Sequence, residues 1–397
     1  MTDFAATKAL FHIPEGTIYL DGNSLGPMPV SALERATSVI SDEWAAQLIR
    51  AWNGADWFSL PSRVGARIAP LIGAPPHAVV TGDTLSIKVF QALSAALQMR
   101  PGRRVVLSDN GNFPTDLYMA QGLLTKLGPE YSLRVVDPED VERSITDDVA
   151  AVMLTHVDYR TGRMHDMDKI TAMTHAAGAV SIWDLAHSAG AMPVDMQGCQ
   201  AEFAVGCTYK YLNGGPGAPA FIYIRPDLSN VLDPILAGWM GHAKPFDFDL
   251  DYRPADGVER MRVGTPPIVQ LSILDEALKI WENVNLHALR KKSVDLCELF
   301  IAGVEAQCPE LTLSSPRDPA QRGSQVSFTF EHGFSTMQAL AARGVIGDFR
   351  APNVMRFGFT PLYTDEADVT RAIEIIRQVV SKREYARPEF QVRGSVT

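Results

Sequence analysis

Short apolar runs alternate with helical patterns through the middle of the chain. Runs rich in β-branched residues lie at 78–80, 104–107, 133–136, 150–154 and 179–183. Helical patterns follow the first four of them, at 85–99, 114–127, 138–144 and 166–177. This alternation predicts an α/β fold with a mostly parallel sheet covered on both faces. We assign that large domain to residues 55–265.

The two ends of the chain carry different patterns. Apolar residues at helical spacing predict a helix over 30–53, within an N-terminal segment (1–54) that we expect to join a smaller domain. After Pro266 and Pro267 a helical pattern runs to about residue 306. Strands at 311–314, 326–330 and 355–359 and helices at 335–343 and 365–382 then predict a small α+β domain over 266–397.

Charge and composition narrow the class of function. The 397 residues carry a net charge of −10, which argues against nucleic acid or an anionic membrane as the main partner. The four cysteines form no CxxC pair, and neither they nor the histidines show zinc-ligand spacing. We expect reduced thiols, no metal and, because no signal peptide or spanning segment is visible, a cytoplasmic location.

Asp184 is the first candidate for chemistry. It ends the apolar run 179–183 and is followed by small residues. In open α/β sheets ligands bind beyond the carboxyl ends of the strands, where an aspartate can reach them. Taken alone, an aspartate in this position would more often be a helix cap.

Lys210 is the second candidate. It lies between Tyr209 and Tyr211, just before the glycine-rich run 213–217. A lysine that forms a Schiff base needs a partly desolvated pocket and close backbone approach to a bulky cofactor. A carboxylate such as Asp184 could pair with a pyridinium nitrogen and make such a cofactor an electron sink.

The turn around Thr84 is the third candidate. A strand runs into small polar residues that open a helix, and helix N-termini bind phosphate groups. An ordinary helix cap would give the same pattern. No clean GxGxxG follows the first strand, so a dinucleotide site is weakly supported.

Several strings carry a resemblance to a known family. They lie at 19–26 (YLDGNSLG), 112–116 (NFPTD), 183–190 (WDLAHSAG), 208–217 (TYKYLNGGPG) and 238–242 (GWMGH). Their order resembles the aspartate-aminotransferase fold (fold type I) of pyridoxal-phosphate enzymes, and the first and last strings resemble kynureninases in particular. The resemblance covers residues from about 17 to about 380.

The resemblance implies pyridoxal 5'-phosphate as cofactor. Lys210 would hold it and move protons at the substrate, Asp184 would pair with its ring nitrogen, and Tyr209 would reach the phosphate and donate a proton during bond cleavage. The other cofactor-binding residues would be Leu85, Ser86, Phe113, Pro114, Thr115, Asp116, Thr155 and His187. Without the resemblance, core packing would explain Phe113 and His187 as well.

The resemblance also implies a reaction and a partner. L-Kynurenine would be hydrolysed to anthranilate and L-alanine, in tryptophan catabolism and NAD biosynthesis, with 3-hydroxykynurenine left open as a second substrate. Arg356 would bind the substrate carboxylate, although a structural ion pair is the alternative. Asn23 and His242, with Trp52 and Trp57, are candidates for the aryl pocket. Trp239 and Thr265 would reach the phosphate of a neighbouring subunit, which implies a homodimer with shared active sites.

Rival functions remain within and beyond the same fold. A cysteine desulfurase or selenocysteine lyase needs a reactive cysteine, whereas Cys297 lies on an apolar helical face and Cys308 lies before a proline. No motif excludes an aminotransferase. A non-catalytic relative would more often have lost Lys210 or Asp184, and a dehydrogenase lacks its fingerprint here.

Overall fold

Short elements make up the N-terminal part of the computed structural model, which describes residues 2–392. They are α1 (Phe4–Lys8), β1 (Phe11–His12), β2 (Ile18–Tyr19), β3 (Met28–Pro29), α2 (Val30–Ser38) and α3 (Ala51–Gly54). The single helix predicted over 30–53 is wrong, because a π-helical stretch (Val39–Ala45) follows α2 and Leu48 has a φ of 53°. The wide turn directs Glu43 inward, where it accepts hydrogen bonds from Arg35 (2.6 Å) and Trp57 (2.7 Å).

A seven-stranded sheet forms the centre of the large domain. Its strands are β4 (Val79–Thr81), β5 (Val105–Asp109), β6 (Ser132–Val136), β7 (Val149–Thr155), β8 (Val180–Asp184), β9 (Phe203–Gly206) and β10 (Phe221–Ile224). Their spatial order is β4-β10-β9-β8-β7-β5-β6. Only β10 runs antiparallel to its neighbours, so the prediction of a mostly parallel sheet is confirmed. The sequence patterns had not predicted β9 and β10.

Helices cover both faces of this sheet. They are α4 (Leu60–Ile68), α5 (Leu85–Gln98), α6 (Pro114–Leu127), α7 (Val141–Ser144), α8 (Met167–Ala176), α9 (Met196–Cys199) and α10 (Ile268–Ala277). Side chains of β8 alternate between two apolar clusters, with Ile182 in one and Trp183 in the other. Burial on both faces explains why these strands are continuous apolar runs.

A four-stranded antiparallel sheet forms the small domain. The remaining elements are α11 (Leu286–Gln307), β11 (Thr312–Leu313), β12 (Gln325–Thr329), α12 (Gly333–Ala342), β13 (Val345–Ile346), β14 (Asp348–Arg350), β15 (Val354–Gly358) and α13 (Glu366–Ser381). The sheet order is β11-β12-β15-β14, while β13 pairs in parallel with β2 of the N-terminal segment.

The apolar clusters show how the domains divide. Ile18 and Leu20 of the N-terminal segment belong to the cluster of the small domain. Leu271 and Leu274 of α10 belong to the cluster of the large domain, and α11 contributes to both clusters. The boundary predicted at residue 265 therefore precedes a helix that packs on the large domain, and the exact division stays a prediction. Within residues 2–392, no helix is long and apolar enough to cross a membrane.

Candidate active site

A cavity of about 410 Å³ lies where the carboxyl ends of the large sheet face the small sheet. Its large-domain wall includes side chains from the ends of β7, β8 and β9 and from the starts of α5 and α6, and we call this the large-sheet wall. Arg350 and Arg356 line the opposite side, which we call the small-sheet wall. The predicted residues that line the cavity are Asn23, Leu85, Ser86, Phe113, Thr115, Asp116, Thr155, Asp184, His187, Tyr209, Lys210 and Arg356.

The loop after β9 brings Lys210 into the cavity. Asn213 turns this loop with a φ of 56°, and its N–H donates to the Lys210 carbonyl (3.0 Å). Gly26 of the N-terminal segment donates its N–H to the Tyr209 carbonyl at 2.8 Å. A Cβ atom on Gly26 would overlap the Lys210 carbonyl and Asn213, so this close approach requires glycine. The N-terminal string and the lysine loop therefore form one packed unit.

The amine of Lys210 is held by a neutral histidine. Its Nζ lies 2.9 Å from Nε2 of His187 and 6.0 Å from the centre of the Phe113 ring. Burial, and then the positive charge of Lys210, lower the pKa of His187 well below its usual range. The ring is therefore uncharged and can accept a hydrogen bond from the amine. Nδ1 of His187 is buried without a hydrogen-bond partner.

Two buried carboxyl groups lie beneath the lysine. Burial, and then the charge of Asp184, raise the pKa of Asp116 well above its usual range, so Asp116 keeps its proton. Burial also raises the pKa of Asp184, against the opposing charge of Lys210. One oxygen of Asp184 accepts the Ala186 N–H at 2.8 Å within a turn. The helix-cap alternative is wrong, because the next helix begins only at Met196. The protonated carboxyl group of Asp116 donates a hydrogen bond to Asp184, and its oxygens accept no hydrogen bond from any other group.

The first turn of α5 is suited to a phosphate group. Thr84, Leu85 and Ser86 line the cavity at this turn. Thr84 occupies the N-cap position in an extended conformation, and no side chain caps the 14-residue helix. The first N–H groups of a helix need acceptors, and a phosphate supplies them.

Tyr209 and Cys207 lie side by side on the large-sheet wall. The neighbouring Cys207 and burial raise the pKa of Tyr209 well above its usual range, so its hydroxyl stays protonated. Burial likewise raises the pKa of the Cys207 thiol. A reactive thiol needs a lowered pKa, so Cys207 does not have the environment of a nucleophile.

Arg356 is already paired within the protein. Its Nε donates to Asp348 at 2.6 Å, and its Nη2 donates to the second oxygen of Asp348 and to Ser24 (3.0 Å). Nη1 donates to the Tyr159 carbonyl. The structural ion pair weighed as an alternative thus exists, yet the side chain also lines the cavity.

Four predicted site residues lie outside the cavity lining of this chain: Pro114, Trp239, His242 and Thr265. Pro114 occupies the first position of α6, next to Phe113. Both ring nitrogens of His242 lie near main-chain groups, the Asp251 carbonyl and the Lys244 N–H, and its role in substrate binding stays a prediction. Trp239 and Thr265 were assigned to a neighbouring subunit, and that role stays a prediction.

The aryl-pocket candidates Trp52 and Trp57 also lie outside the lining. Their rings contact each other edge to face, with centroids 5.9 Å apart. The indole N–H of Trp57 donates to Glu43 of the N-terminal segment, and a role of either tryptophan in the aryl pocket stays a prediction. Asn23 alone of the named aryl-pocket candidates lines the cavity, and its amide donates to Gln325 at 3.2 Å.

Four polar residues of the lining are absent from the sequence-based prediction of the site: Ser24, Tyr159, Cys207 and Arg350. Ser24 lies within the string 19–26. Cys207 lies three positions before Lys210, and this closeness in sequence is a signal that could have identified it as a site residue. Arg350 precedes Arg356 by six positions, and only the hairpin register shows that both reach one cavity. Tyr159 lies in an irregular segment after β7 and gives no local signal.

The residues present fit pyridoxal phosphate. An uncapped helix start is available to a phosphate, a strand-end carboxylate to a ring nitrogen, and an amine to an aldehyde. The unpaired Nδ1 of His187 also belongs to a residue that lines the cavity, where a polar cofactor would provide a partner. The site therefore has places for each polar part of this cofactor.

Comparisons with protein families and relatives agree with this geometry. A family model described as the kynureninase C-terminal domain matches residues 289–376, and one described as the DegT/DnrJ/EryC1/StrS aminotransferase family matches residues 68–205. A kynureninase from Pseudomonas fluorescens is 50% identical over 400 residues, with 99% of this chain and 96% of the relative covered.

Solved structures share the fold at lower identity. A cysteine desulfurase from Thermococcus onnurineus NA1 has a TM-score of 0.81 at 20% identity, covering 96% of this chain and 99% of that one. A C-DES variant with glycine linked to its PLP cofactor has a TM-score of 0.80 at 17% identity, covering 95% and 99%. At these identities the likeness concerns the fold alone.

Proposed function

The chain belongs to the kynureninase family of pyridoxal-phosphate enzymes, and from that premise we propose that it hydrolyses L-kynurenine to anthranilate and L-alanine. The observation that carries the proposal is one cavity lined by Lys210, Asp184 and Arg356. The amine, carboxylate and guanidinium match the cofactor aldehyde, the cofactor ring nitrogen and the carboxylate of an amino-acid substrate.

The cofactor supplies an electron sink for bonds that break next to the substrate amine. Asp184 has the position to keep a ring nitrogen protonated, because it is buried at the end of β8. Asp116 then serves as a neutral neighbour, since its pKa is raised well above the usual range by burial and by Asp184. A protonated Asp116 avoids two negative charges in one buried site.

Lys210 and Tyr209 would handle the protons. Lys210 Nζ, oriented by His187 at 2.9 Å, would take and return the proton at the substrate α-carbon. Tyr209 keeps its hydroxyl proton because Cys207 and burial raise its pKa. It can therefore donate a hydrogen bond or a proton to a group that becomes negative when the Cβ–Cγ bond breaks.

The first test follows anthranilate by its fluorescence after the yellow holoenzyme is mixed with L-kynurenine. We expect anthranilate and alanine in equal amounts, and none from Lys210→Ala. Lys126→Ala, at an exposed position of α6, is the matched control and should keep full activity. If the wild-type protein is yellow but makes no anthranilate, the result would support the cofactor site and contradict the proposal that L-kynurenine is the substrate.

Desulfurase and aminotransferase activities are the alternatives within the fold. The buried thiol of Cys207 has a raised pKa, and burial also raises that of Cys297 to about 11, which disfavours a persulfide-forming cysteine. An assay for sulfide from L-cysteine, and one for keto acid from L-kynurenine, would detect either alternative directly.

We further propose a homodimer with shared sites. Large apolar side chains are exposed in two places: Leu33, Trp44 and Ile49 near the N-terminus, and Trp239, Phe246, Phe248 and Leu250 beyond the large sheet. Apolar exposure of this kind marks interaction surfaces. Trp239 and Thr265 belong to the second region and lie outside the cavity lining of their own chain.

Mixed dimers would test the sharing of sites. Lys210→Ala and Trp239→Ala subunits are each expected to be poorly active alone. Subunits of the two variants would combine into dimers with one intact site, so mixing after dissociation should restore about a quarter of wild-type activity. Light scattering would report the mass, and a monomer, or a mixture without recovery, would contradict shared sites.

Cellular location and pathway complete the proposal. Cys199, Cys207, Cys297 and Cys308 are free thiols, as in proteins of a reducing compartment. This supports a cytoplasmic enzyme. The reaction would place it in tryptophan catabolism and in the supply of precursors for NAD biosynthesis.

A further inference from the structure

One face of the small sheet presents a carboxylate and two arginines together. Asp348 and Arg350 are two residues apart on β14, so their side chains share a face. Asp348 is also the cross-strand partner of Arg356 on β15. The hairpin register therefore brings Asp348, Arg350 and Arg356 to one place beside the cavity.

Arg356 has little hydrogen-bonding capacity left. A guanidinium carries five N–H donors. Four of these donors are used in Arg356: two donate to Asp348, one to Ser24 and one to the Tyr159 carbonyl. A bidentate contact with a substrate carboxylate needs two donors, and Arg356 retains one unless these bonds break.

Arg350 is placed to supply the missing donor. Its Nη2 lies 2.9 Å from Asp348, its Nη1 donates to the Phe349 carbonyl (2.8 Å), and its side chain, 30% exposed, lines the same cavity. Arg350 is therefore close enough to the cavity to contact a ligand, and its side chain is accessible to that ligand.

The charges of this face favour an anion. Two guanidinium groups share the single carboxylate Asp348. Burial, and then Asp348, raise the pKa of nearby Asp21 to about 7, so Asp21 cancels the remaining charge only in part at neutral pH. The small-sheet wall therefore keeps net positive charge next to the cavity, where a carboxylate is stabilised.

We propose that Arg350 is a second substrate-binding residue, which holds the α-carboxylate of the amino-acid substrate together with Arg356. The inference rests on the proposed function, since that function makes the substrate an amino acid. Arg356 contributes the fixed donor of a preformed ion pair, and Arg350 contributes the donor that a carboxylate needs for a two-point contact.

The test compares two ligands that differ only in the carboxylate. The holoenzyme is titrated with L-alanine and with L-alaninamide, and binding is followed by the absorbance of the cofactor. Arg350→Met should weaken L-alanine binding about 10-fold to 100-fold, as expected for a lost charge-assisted hydrogen bond. L-Alaninamide binding should change less than about twofold, since it has no carboxylate for Arg350 to hold.

Two further variants serve as controls for this test. Arg350→Lys keeps the charge without the fork and should fall between wild type and Arg350→Met for L-alanine. Arg343→Met is the matched control, because Arg343 is similarly exposed in the same domain but pairs with Glu384 and Gln378 outside the cavity. It should bind both ligands like the wild type.

Two results would overturn the proposal: unchanged L-alanine binding in Arg350→Met, or equal weakening of both ligands. The kynurenine assay tests the proposed function independently of this comparison. If wild-type holoenzyme makes no anthranilate, the proposed function is wrong, whereas the two alanine ligands still show whether Arg350 recognises a carboxylate.

Discussion

The two walls of the cavity satisfy their polar groups in opposite ways. On the large-sheet wall, Nδ1 of His187 is buried without a hydrogen-bond partner, and the carboxyl group of Asp116 bonds only to the neighbouring Asp184. On the small-sheet wall, Arg356 makes four hydrogen bonds to protein groups. A buried polar group without a partner costs about 1–3 kcal/mol. The large-sheet wall therefore has a buried polar group that only a bound ligand would pair. The hydrogen bonds of Arg356 on the small-sheet wall are already made before a ligand binds.

The difference matches the two kinds of ligand. A cofactor that stays bound can provide lasting partners to buried groups, and its binding then stabilises the fold. A substrate leaves in every cycle, so its binding residues must be stable without it. The Asp348 ion pair gives Arg356 that stability, at the cost of donors that the substrate could use.

The largest expected effect comes from neutralising the large-sheet wall. Asp184→Asn keeps the size of the side chain but removes the charge that we propose to pair with the cofactor ring. We expect kcat to fall about 10²–10³-fold, as for the loss of one strong electrostatic contact in an active site. Steady-state kinetics with L-kynurenine, beside the absorbance spectrum of the bound cofactor, would measure it.

Asp109→Asn is the control for this change. Asp109 ends β5 as Asp184 ends β8, and it is as deeply buried, but it pairs with His165 at 2.6 Å outside the cavity lining. Its replacement should lower the stability and leave kcat per bound cofactor close to wild type. A similar loss of kcat in both variants would mean that burial of a strand-end carboxylate matters, and not its place in the cavity.

Next in size is the contact that joins the two walls. Gly26 packs on the Lys210 loop, and the neighbouring Asn23 packs on Gly358 of β15. In Gly26→Ala the added Cβ would overlap main-chain atoms, which cannot rotate away. We expect the free energy of unfolding to fall by about 1–3 kcal/mol, with weaker retention of the cofactor. Urea unfolding and equilibrium dialysis against pyridoxal phosphate would measure the two effects.

Gly102→Ala is the matched control, since nothing lies within 4 Å of a Cβ built there. It should leave cofactor retention unchanged. If Gly26→Ala loses stability but retains the cofactor fully, the lysine loop does not depend on the N-terminal string, and the two walls are less tightly joined than their packing indicates.

The large-sheet wall was far easier to predict from the sequence than the small-sheet wall. Asp184, Lys210 and Ser86 follow strands or open helices, and parallel strands bring their carboxyl ends to one edge of a sheet. That local rule indicated Asp184 and the turn at Thr84, whereas most other residues of this wall are predicted only by the family resemblance. The strands β9 and β10 were missed because they are only four residues long and β10 is antiparallel.

The small-sheet wall depends on pairing between distant strands. Arg356 could be recognised as an arginine among apolar residues, but its partner Asp348 is fixed by the register of a hairpin. Asn213, which precedes two glycines, has the local signal of a turn, whereas Leu48 adopts a positive φ that no local pattern signals. Such features depend on tertiary contacts, so a single sequence does not reveal them.

The small-sheet wall should respond to pH through Asp21. Burial and Asp348 raise its pKa from 3.8 to about 7 in the folded protein. A raised carboxyl pKa gives stability that is present below the unfolded pKa and is lost as the pH rises toward the folded pKa. The unfolding free energy should therefore fall, relative to Asp21→Asn, by up to about 1.4 kcal/mol per pH unit across this range. Urea unfolding of both proteins near pH 6 and pH 7 would show it, whereas parallel pH profiles would contradict it.

The smallest effect tests whether the large-sheet wall is rigid on its own. Its residues Phe113, Thr115 and Asp116 lie at the start of α6, and Gly122 lies farther along the same helix. Gly122 is exposed, and nothing lies within 4 Å of a Cβ there. Gly122→Ala should raise the free energy of unfolding by about 0.5–1 kcal/mol, because alanine loses less backbone entropy in a helix.

Gly128, which follows α6, is the matched opposite case. It has a φ of 136°, and a Cβ there would overlap Glu130, so Gly128→Ala should destabilise the protein. Urea unfolding would show the two signs, and kcat and KM should stay at wild-type values in Gly122→Ala. If the stabilised helix changes kcat, its first turn moves during the reaction. The large-sheet wall would then not be the rigid frame that its buried, cofactor-directed groups require.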